Sequence, residues 1–289
     1  MPGTATQHRL DDDAIAVISI SRAEQRNAFT EELADDLIAE FTKASSDDKV
    51  RVIILTGDPR GKNFCAGADL GGNGAQFKVA PGADYDKEYR DGGGRIGLVI
   101  MQCPKPVVCA INGNAVGVGL TMPCCCDVRV VDENAKVGFP FVRRGLASET
   151  ISSWTLPRLV GLGHANELVL TGRVFAAKDA PHGLFNYAVP ASQVMPKALE
   201  LAREMAAHAS PQSMALSKNL MMRSQLLSPE QAHLNESKAI LHQTLSPHSM
   251  EGIMSFLEKR APRFPNLALD ALDQAGWTGP RVPDRKAKL

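Results

Sequence analysis

Short, unbroken apolar runs mark the first half of the chain. Residues 14–20, 51–56, 106–111 and 127–131 are rich in Val and Ile and flanked by Gly, Pro, Asn or Asp, which predicts buried strands. Between the first two, the apolar positions spread to helical spacing. Leu33, Leu37, Ile38 and Phe41 fall on one face, Thr30 stands at the N-cap, and Glu31 and Glu32 suit the positive end of a helix dipole. Residues 85–102 read as a weak helix interrupted by Gly92, Gly93 and Gly94. Residues 117–126 read as a short buried helix, and 71–83, rich in Gly and polar side chains, as a loop.

From residue 148 onward the pattern is mostly helical. Ser148 offers an N-cap with Glu149 in the first turn. Leu156, Leu159 and Val160 supply the apolar face, and Gly161 ends the segment. Further helices are expected over 164–170, 193–208 and 212–223. Ser228, Pro229, Glu230 and Gln231 form a capping box with Pro at the first helical position. The last helix, 248–260, stops before Pro262. Strands alternating with helices, then helices alone, predict an α/β core over residues 1–200, followed over 201–289 by a helical region and tail of the same domain.

Two of the strands run into loops of small residues. One is Asn63-Phe64-Cys65-Ala66-Gly67-Ala68-Asp69-Leu70; the other is Asn112-Gly113-Asn114-Ala115-Val116-Gly117-Val118-Gly119. Small residues let a ligand approach the backbone. Two such loops can aim two N–H groups at one oxygen, as stabilisation of an enolate oxygen requires.

Composition removes several alternatives. Lys plus Arg equals Asp plus Glu at 32 each, basic residues are scattered, and aromatics make up only 5%, so a nucleic-acid surface is not expected. No apolar run is long enough to span a bilayer. The six cysteines lack zinc-ligand spacing and predict reduced, buried thiols, with no metal site. The last residues, Ala287-Lys288-Leu289, match the small–basic–leucine pattern of a peroxisomal address, so an import receptor is an expected partner and the peroxisome the expected location, otherwise the cytoplasm.

The pattern Arg22-x-x-x-x-Asn27-Ala28, then Phe64 to Leu70, Pro104-Lys105-Pro106-Val107-Val108, Asn112-Gly113 and Asp127 resembles the crotonase (enoyl-CoA hydratase/isomerase) superfamily. So do Leu156-Pro157-Arg158-Leu159-Val160-Gly161, Leu170-Thr171-Gly172 and Phe256-Leu257-Glu258-Lys259-Arg260. The resemblance implies a spiral of ββα units with a C-terminal helical trimerisation region, and a homotrimer or hexamer. It implies an acyl-CoA thioester substrate and no separate cofactor, CoA arriving as part of the substrate. It places the oxyanion hole at the N–H groups of Ala68 and Val118, the latter where the family usually has Gly. It assigns CoA contacts to Ala28, Ala66, Gly67, Ala68, Asp69, Leu70 and Gly117, and to Phe256 and Lys259, possible contributions of a neighbouring subunit.

The resemblance also bears on the reaction. Family hydratases use two glutamates, at positions that match Thr121 and Phe141 here. Glu149 stands where some family isomerases place a single acid. One carboxylate could take a proton from C2 and return it to C4, so a Δ3,Δ2-enoyl-CoA isomerase is the leading expectation. Val142, Leu146, Ile151 and Trp154 are expected to wall Glu149 in apolar surroundings and raise its pKa. The alternatives are a hydratase or dehydratase working with Glu149 alone on a branched or specialised acyl-CoA, and a non-catalytic acyl-CoA-binding member. A hydrolase or dehalogenase using Glu149 as nucleophile is a further alternative.

Overall fold

The computed structural model describes residues 4–12, 14–71 and 89–267. The larger sheet has the order β1-β2-β3-β5-β7-β10, where β1 is Ala5–Leu10, β2 Ile15–Ile20, β3 Val52–Gly57, β5 Val107–Ile111, β7 Val128–Asp132 and β10 Tyr187–Val189. β1 pairs antiparallel with β2 and the other pairings are parallel. A smaller sheet, β4-β6-β8-β9, joins Asn63–Cys65, Asn114–Val116, Lys136–Gly138 and Val174–Ala176. The predicted strands at β2, β3, β5 and β7 all form. β1 was not predicted, because its sequence ATQHRL is polar and its strand lies at the sheet edge.

The apolar runs are continuous because both faces of the large sheet are covered. Ala16, Ile18, Ile53, Leu55, Val107, Cys109 and Ile111 face one core, with Leu33, Leu37 and Phe41 of α1 (Glu31–Ser46) and Ile96, Val99 and Ile100 of α2 (Gly92–Gln102). Ile15, Val17, Val52, Ile54, Val108 and Ala110 face the other, covered by Val194, Ala198, Ala202 and Ala206 along one stripe of α5 (Val194–His208). A division near residue 200 falls inside that helix.

A long strand in the large sheet, a short strand in the small sheet and a helix recur in order: β3-β4-α2, β5-β6-α3 and β7-β8-α4, with α3 Val118–Thr121 and α4 Ser152–Thr171. This is the spiral of ββα units that the family resemblance implied. Asparagines hold the turns in step. The Asn112 amide group donates to Gly57 O at 2.8 Å and its oxygen accepts from Gly57 N at 3.1 Å, clamping the ends of β3 and β5. Asn114 links β4 to β8 by donating to Asn63 Oδ1 at 3.1 Å and accepting from Lys136 N at 2.8 Å.

Among the described residues three helices follow α5: α6 (Pro211–Ser224), α7 (Pro229–Thr244) and α8 (Pro247–Leu257). The Ser228–Gln231 capping box forms as predicted. α6 is tied to the core by Lys218, whose ammonium donates to Asp127 Oδ2 at 2.7 Å and Lys105 O at 3.1 Å. Arg51, at the start of β3, donates to Phe264 O at 2.8 Å, and the Phe264 ring stacks on His248 of α8. The segment around α8 is therefore fastened at the N-terminal end of the parallel strands.

Candidate active site

β4 and β6 are parallel neighbours, so the loops leaving their C-terminal ends emerge side by side. Glycine permits their close approach. A Cβ on Gly119 would lie 2.1 Å from Cys65 O, and one on Gly67, whose φ is 97°, would lie 2.9 Å from Val116 O.

The first loop is stitched to residues 26–29. Ala66 N donates to Arg26 O at 3.2 Å, Phe29 N to Gly67 O at 2.8 Å, and Asp69 N to Phe29 O at 2.8 Å. Arg22 braces the same segment, pairing with Asp69 at 3.1 Å and donating to Ala28 O. Asn27, at φ 53°, accepts from Arg22 N at 3.0 Å and donates to Asn63 O at 2.8 Å. In the second loop Gly117, at φ 58°, directs its N–H to Gly138 O at 3.0 Å, and α3 begins at Val118. The N–H groups of Ala68 and Val118 donate to no acceptor among the described residues. Helix geometry explains the second, since the first N–H groups of a helix have no intrahelical partner. The Val118 side chain is buried in the core cluster, and Ala68 is exposed. Leu70 is also exposed, so the described part of this loop presents its outer side openly.

Glu149 lies beside this pair of loops. Its carboxyl accepts from Thr121 Oγ1 at 2.7 Å and from Thr150 Oγ1. Thr121 is the last residue of α3, one turn beyond Val118. A Cβ on Gly93 would stand 2.1 Å from Glu149 Oε2, so the carboxyl rests directly on the first turn of α2. Burial pushes the Glu149 pKa above its ordinary value. The two threonine hydroxyls oppose that rise and the negative charge of Asp91 adds to it.

Several sequence expectations need correction. α4 starts at Ser152, not at Ser148. Glu149 precedes it, and Thr150 and Ile151 at φ 52° and 59° turn the chain into the helix. Gly161, at φ 78° and ψ 155°, is not helical and ends the first segment of α4 as expected; a second segment continues to Thr171. Gly92–Gly94 do not interrupt a helix; they begin one, where the absent side chains leave room for Glu31, Asp91 and Glu149. The apolar wall around Glu149 is also different. Val142 and Leu146 are exposed, and Trp154 lines a cavity of about 510 Å³ with Met101, Cys125, Met214 and Met222. The groups next to Glu149 are Gly93, Thr121 and Thr150, with Cys65, Cys125 and Asp91 close enough to sense its charge. Ile151, one of the four expected residues, follows Thr150 in the turn and closes its Cδ1 on Gly97 beside Cys125 and Thr150.

Phe256 is 82% exposed on α8, and among the described residues no hydrogen bond or ion pair joins Phe256 or Lys259 to the two loops. Arg143 donates to Thr171 O at 2.8 Å on the exposed outer surface. Sequence reasoning missed the part played by Thr121, which it weighed only as a missing carboxylate. It also missed Gly93, although three successive glycines inside an otherwise helical run were a signal of close packing. Residues 72–83 of the expected loop and the Ala287-Lys288-Leu289 tail lie outside the described residues. Among the described residues no group of three His, Cys, Asp or Glu side chains could hold a metal ion. None of the helices described is long and apolar enough to cross a membrane.

The chain is 44% identical to the enoyl-CoA hydratase ACTT3 of Alternaria alternata over 256 residues, covering 88% of this chain and 84% of that one. It is 30% identical to the 2,3-dehydroadipyl-CoA hydratase of Escherichia coli, over 86% and 94% of the two chains. Among solved structures, a probable enoyl-CoA hydratase/isomerase from Mycobacterium abscessus superposes with a TM-score of 0.80 at 33% identity, over 91% of this chain and 100% of that one. The enoyl-CoA hydratase/isomerase family model matches residues 11–266. By sequence, spiral fold and paired small-residue loops, the chain belongs to the enoyl-CoA hydratase/isomerase (crotonase) family.

Proposed function

We propose that the protein hydrates an enoyl-CoA thioester, or dehydrates the matching 3-hydroxyacyl-CoA, with Glu149 as the one acid–base group. The observation that carries this reading is a half-buried carboxyl of raised pKa beside two backbone N–H groups that have no acceptor among the described residues. The names of the relatives favour hydration over the isomerisation that the sequence put first. The thioester carbonyl would accept from Ala68 N and Val118 N. Glu149 takes a proton from water as the water oxygen bonds to C3. The π electrons of C2=C3 move to the thioester oxygen, and the protonated Glu149 returns its proton to C2. The net change is addition of one water, and the two N–H groups carry the intermediate charge.

A second reading keeps its place because of Phe141. This residue follows Pro140, where family hydratases carry a glutamate; it is buried, with ring carbons 3.8 Å from the Cβ position of Gly117. That carboxylate and the one at Thr121 are both replaced, and among the described residues the acids at this place are Glu149 and its neighbour Asp91. Isomerisation needs no water: Glu149 removes a proton from C2 of a 3-enoyl-CoA and returns it to C4 of the dienolate.

Separate incubations with 2-hexenoyl-CoA and 3-hexenoyl-CoA decide between them. A hydroxyacyl product from the first supports hydration; 2-enoyl product from the second, without hydroxyacyl product from the first, supports isomerisation. Glu149→Gln should lower either activity by at least about a hundredfold. If no turnover occurs while CoA esters still bind, the non-catalytic reading replaces both.

Assembly and location belong to the same proposal. α7 and α8 expose Leu234, Ile240, Leu241, Leu245, Ile253 and Phe256, an apolar surface suited to a second copy of the chain. Such a copy would let Phe256 and Lys259 reach a neighbour's CoA. Deleting Ala287-Lys288-Leu289 should abolish peroxisomal import of a fluorescent fusion.

A further inference from the structure

We propose that Thr121 is the positioning residue of the Glu149 carboxyl, holding it in both of its protonation states and setting the pH range in which it accepts a proton. The inference rests on the reading of Glu149 as the proton carrier. Thr121 is fully buried on α3 between Leu120 and Met122, which are buried and apolar. Its hydroxyl is 2.7 Å from Glu149 Oε1 and 3.4 Å from Gly117 O. A buried hydroxyl needs a partner, and the two distances rank the choices. Gly117 O already accepts from Leu120 N at 2.8 Å and Thr121 N at 2.9 Å, so it is the weaker acceptor. The charge-assisted bond to ionised Glu149 is the stronger one.

The two acceptors suit the two states. While Glu149 is ionised, the Thr121 hydrogen points to Oε1. Once Glu149 has gained a proton, that hydrogen turns to Gly117 O, and the hydroxyl oxygen presents a lone pair to the carboxyl. Thr150 holds the other carboxyl oxygen, which fixes the plane of the group. A Val at 121 would fill the same space and serve neither state.

The titratable groups facing Glu149 are Asp91 at the N-cap of α2, Cys65 on β4 and Cys125 in the turn after α3. Burial pushes the Cys65 thiol up to about 12 and the Cys125 thiol well above its ordinary value, so both stay neutral through the working range. Asp91 is the charged neighbour of the three.

The test uses the full-length enzyme, hexenoyl-CoA and Thr121→Val, with Thr121→Ser as the rescue. Thr121→Val should lower kcat about tenfold with KM nearly unchanged. It should also move the acidic limb of the kcat profile up by about one pH unit, because the bond that favours the charged form is gone. Thr121→Ser should restore the limb. Should Thr121→Val fold poorly, Thr121→Ala with direct carbon-13 NMR titration of the Glu149 carboxyl reads the same shift without turnover. An unmoved limb or titration in a folded variant overturns the assignment. Full turnover in Glu149→Gln would instead overturn the proton-carrier reading, so the two failures are distinguishable.

Discussion

The Glu149 carboxyl is half buried, its neighbouring acid is Asp91, and its pKa is raised chiefly by burial. An acid whose folded pKa exceeds its unfolded value binds more protons folded than unfolded, so stability falls as pH rises through that window. Ionised Glu149 thus destabilises the fold at neutral pH. Glu149→Gln should raise the melting temperature at pH 7, and the gain should fade as pH drops toward the ordinary value of 4.5. A melting-temperature difference that does not depend on pH would contradict this. Asp91→Asn keeps an N-cap for α2 but removes a like charge, so the acidic limb should move down, opposite to Thr121→Val. Thr150 and Ile151, both β-branched, sit at positive φ, which costs on the order of 1–2 kcal/mol each. The bonds from Thr150 to Glu149 and from Ser152 N to Glu149 O, the latter at 3.0 Å, help hold that turn against its strain.

Elements meet at two kinds of contact that respond differently to substitution. The loops after β4 and β6 touch backbone to backbone, and Gly119→Ala would put a methyl group 2.1 Å from Cys65 O. The loops must part, moving the Ala68 and Val118 N–H groups together or apart. Turnover should drop by roughly a hundredfold or more, with the protein still folded by circular dichroism. α6, by contrast, meets the core through a charge pair. Lys218 is nearly buried; burial lowers its pKa, but Asp127 together with Cys103 and Cys126 leaves it raised, and Asp127 also accepts from Val107 N at 2.7 Å. Lys218→Ala would strand Asp127 beside β5 and should cost about 3 kcal/mol in a denaturant melt. Asp127 was legible in the sequence only as a family marker. Its partner is 91 residues away, and no local pattern names it.

At the scale of the whole molecule, the strand–strand–helix spiral buries a core on each face of one sheet, whereas the last helices leave Leu241, Leu245 and Ile253 over half exposed. Apolar surface of that extent in one chain matches an interface more than a solvated face. The family resemblance puts the number of copies at three or six; sedimentation should find them, and Leu245→Asp with Ile253→Asp should dissociate them and raise KM for the CoA ester. A parent protein that sediments as one chain would remove Phe256 and Lys259 from the site.

Much of the architecture followed from sequence alone. Val- and Ile-rich runs give β2, β3, β5 and β7 because strands covered on both faces need no polar alternation. Thr30 and the Ser228 box gave two helix starts because capping depends on adjacent residues. The two small-residue loops were also legible, since glycine marks close backbone approach wherever it is required. The setting of Glu149 was not. Local preference placed it in the first turn of a helix, walled by four apolar neighbours. Only the packing of α2, α3 and the 149–151 turn put it between two threonine hydroxyls on a bare glycine. Those contacts join positions 28 and 56 residues apart, and the surroundings that raise a carboxyl pKa come from whichever segments the fold brings there.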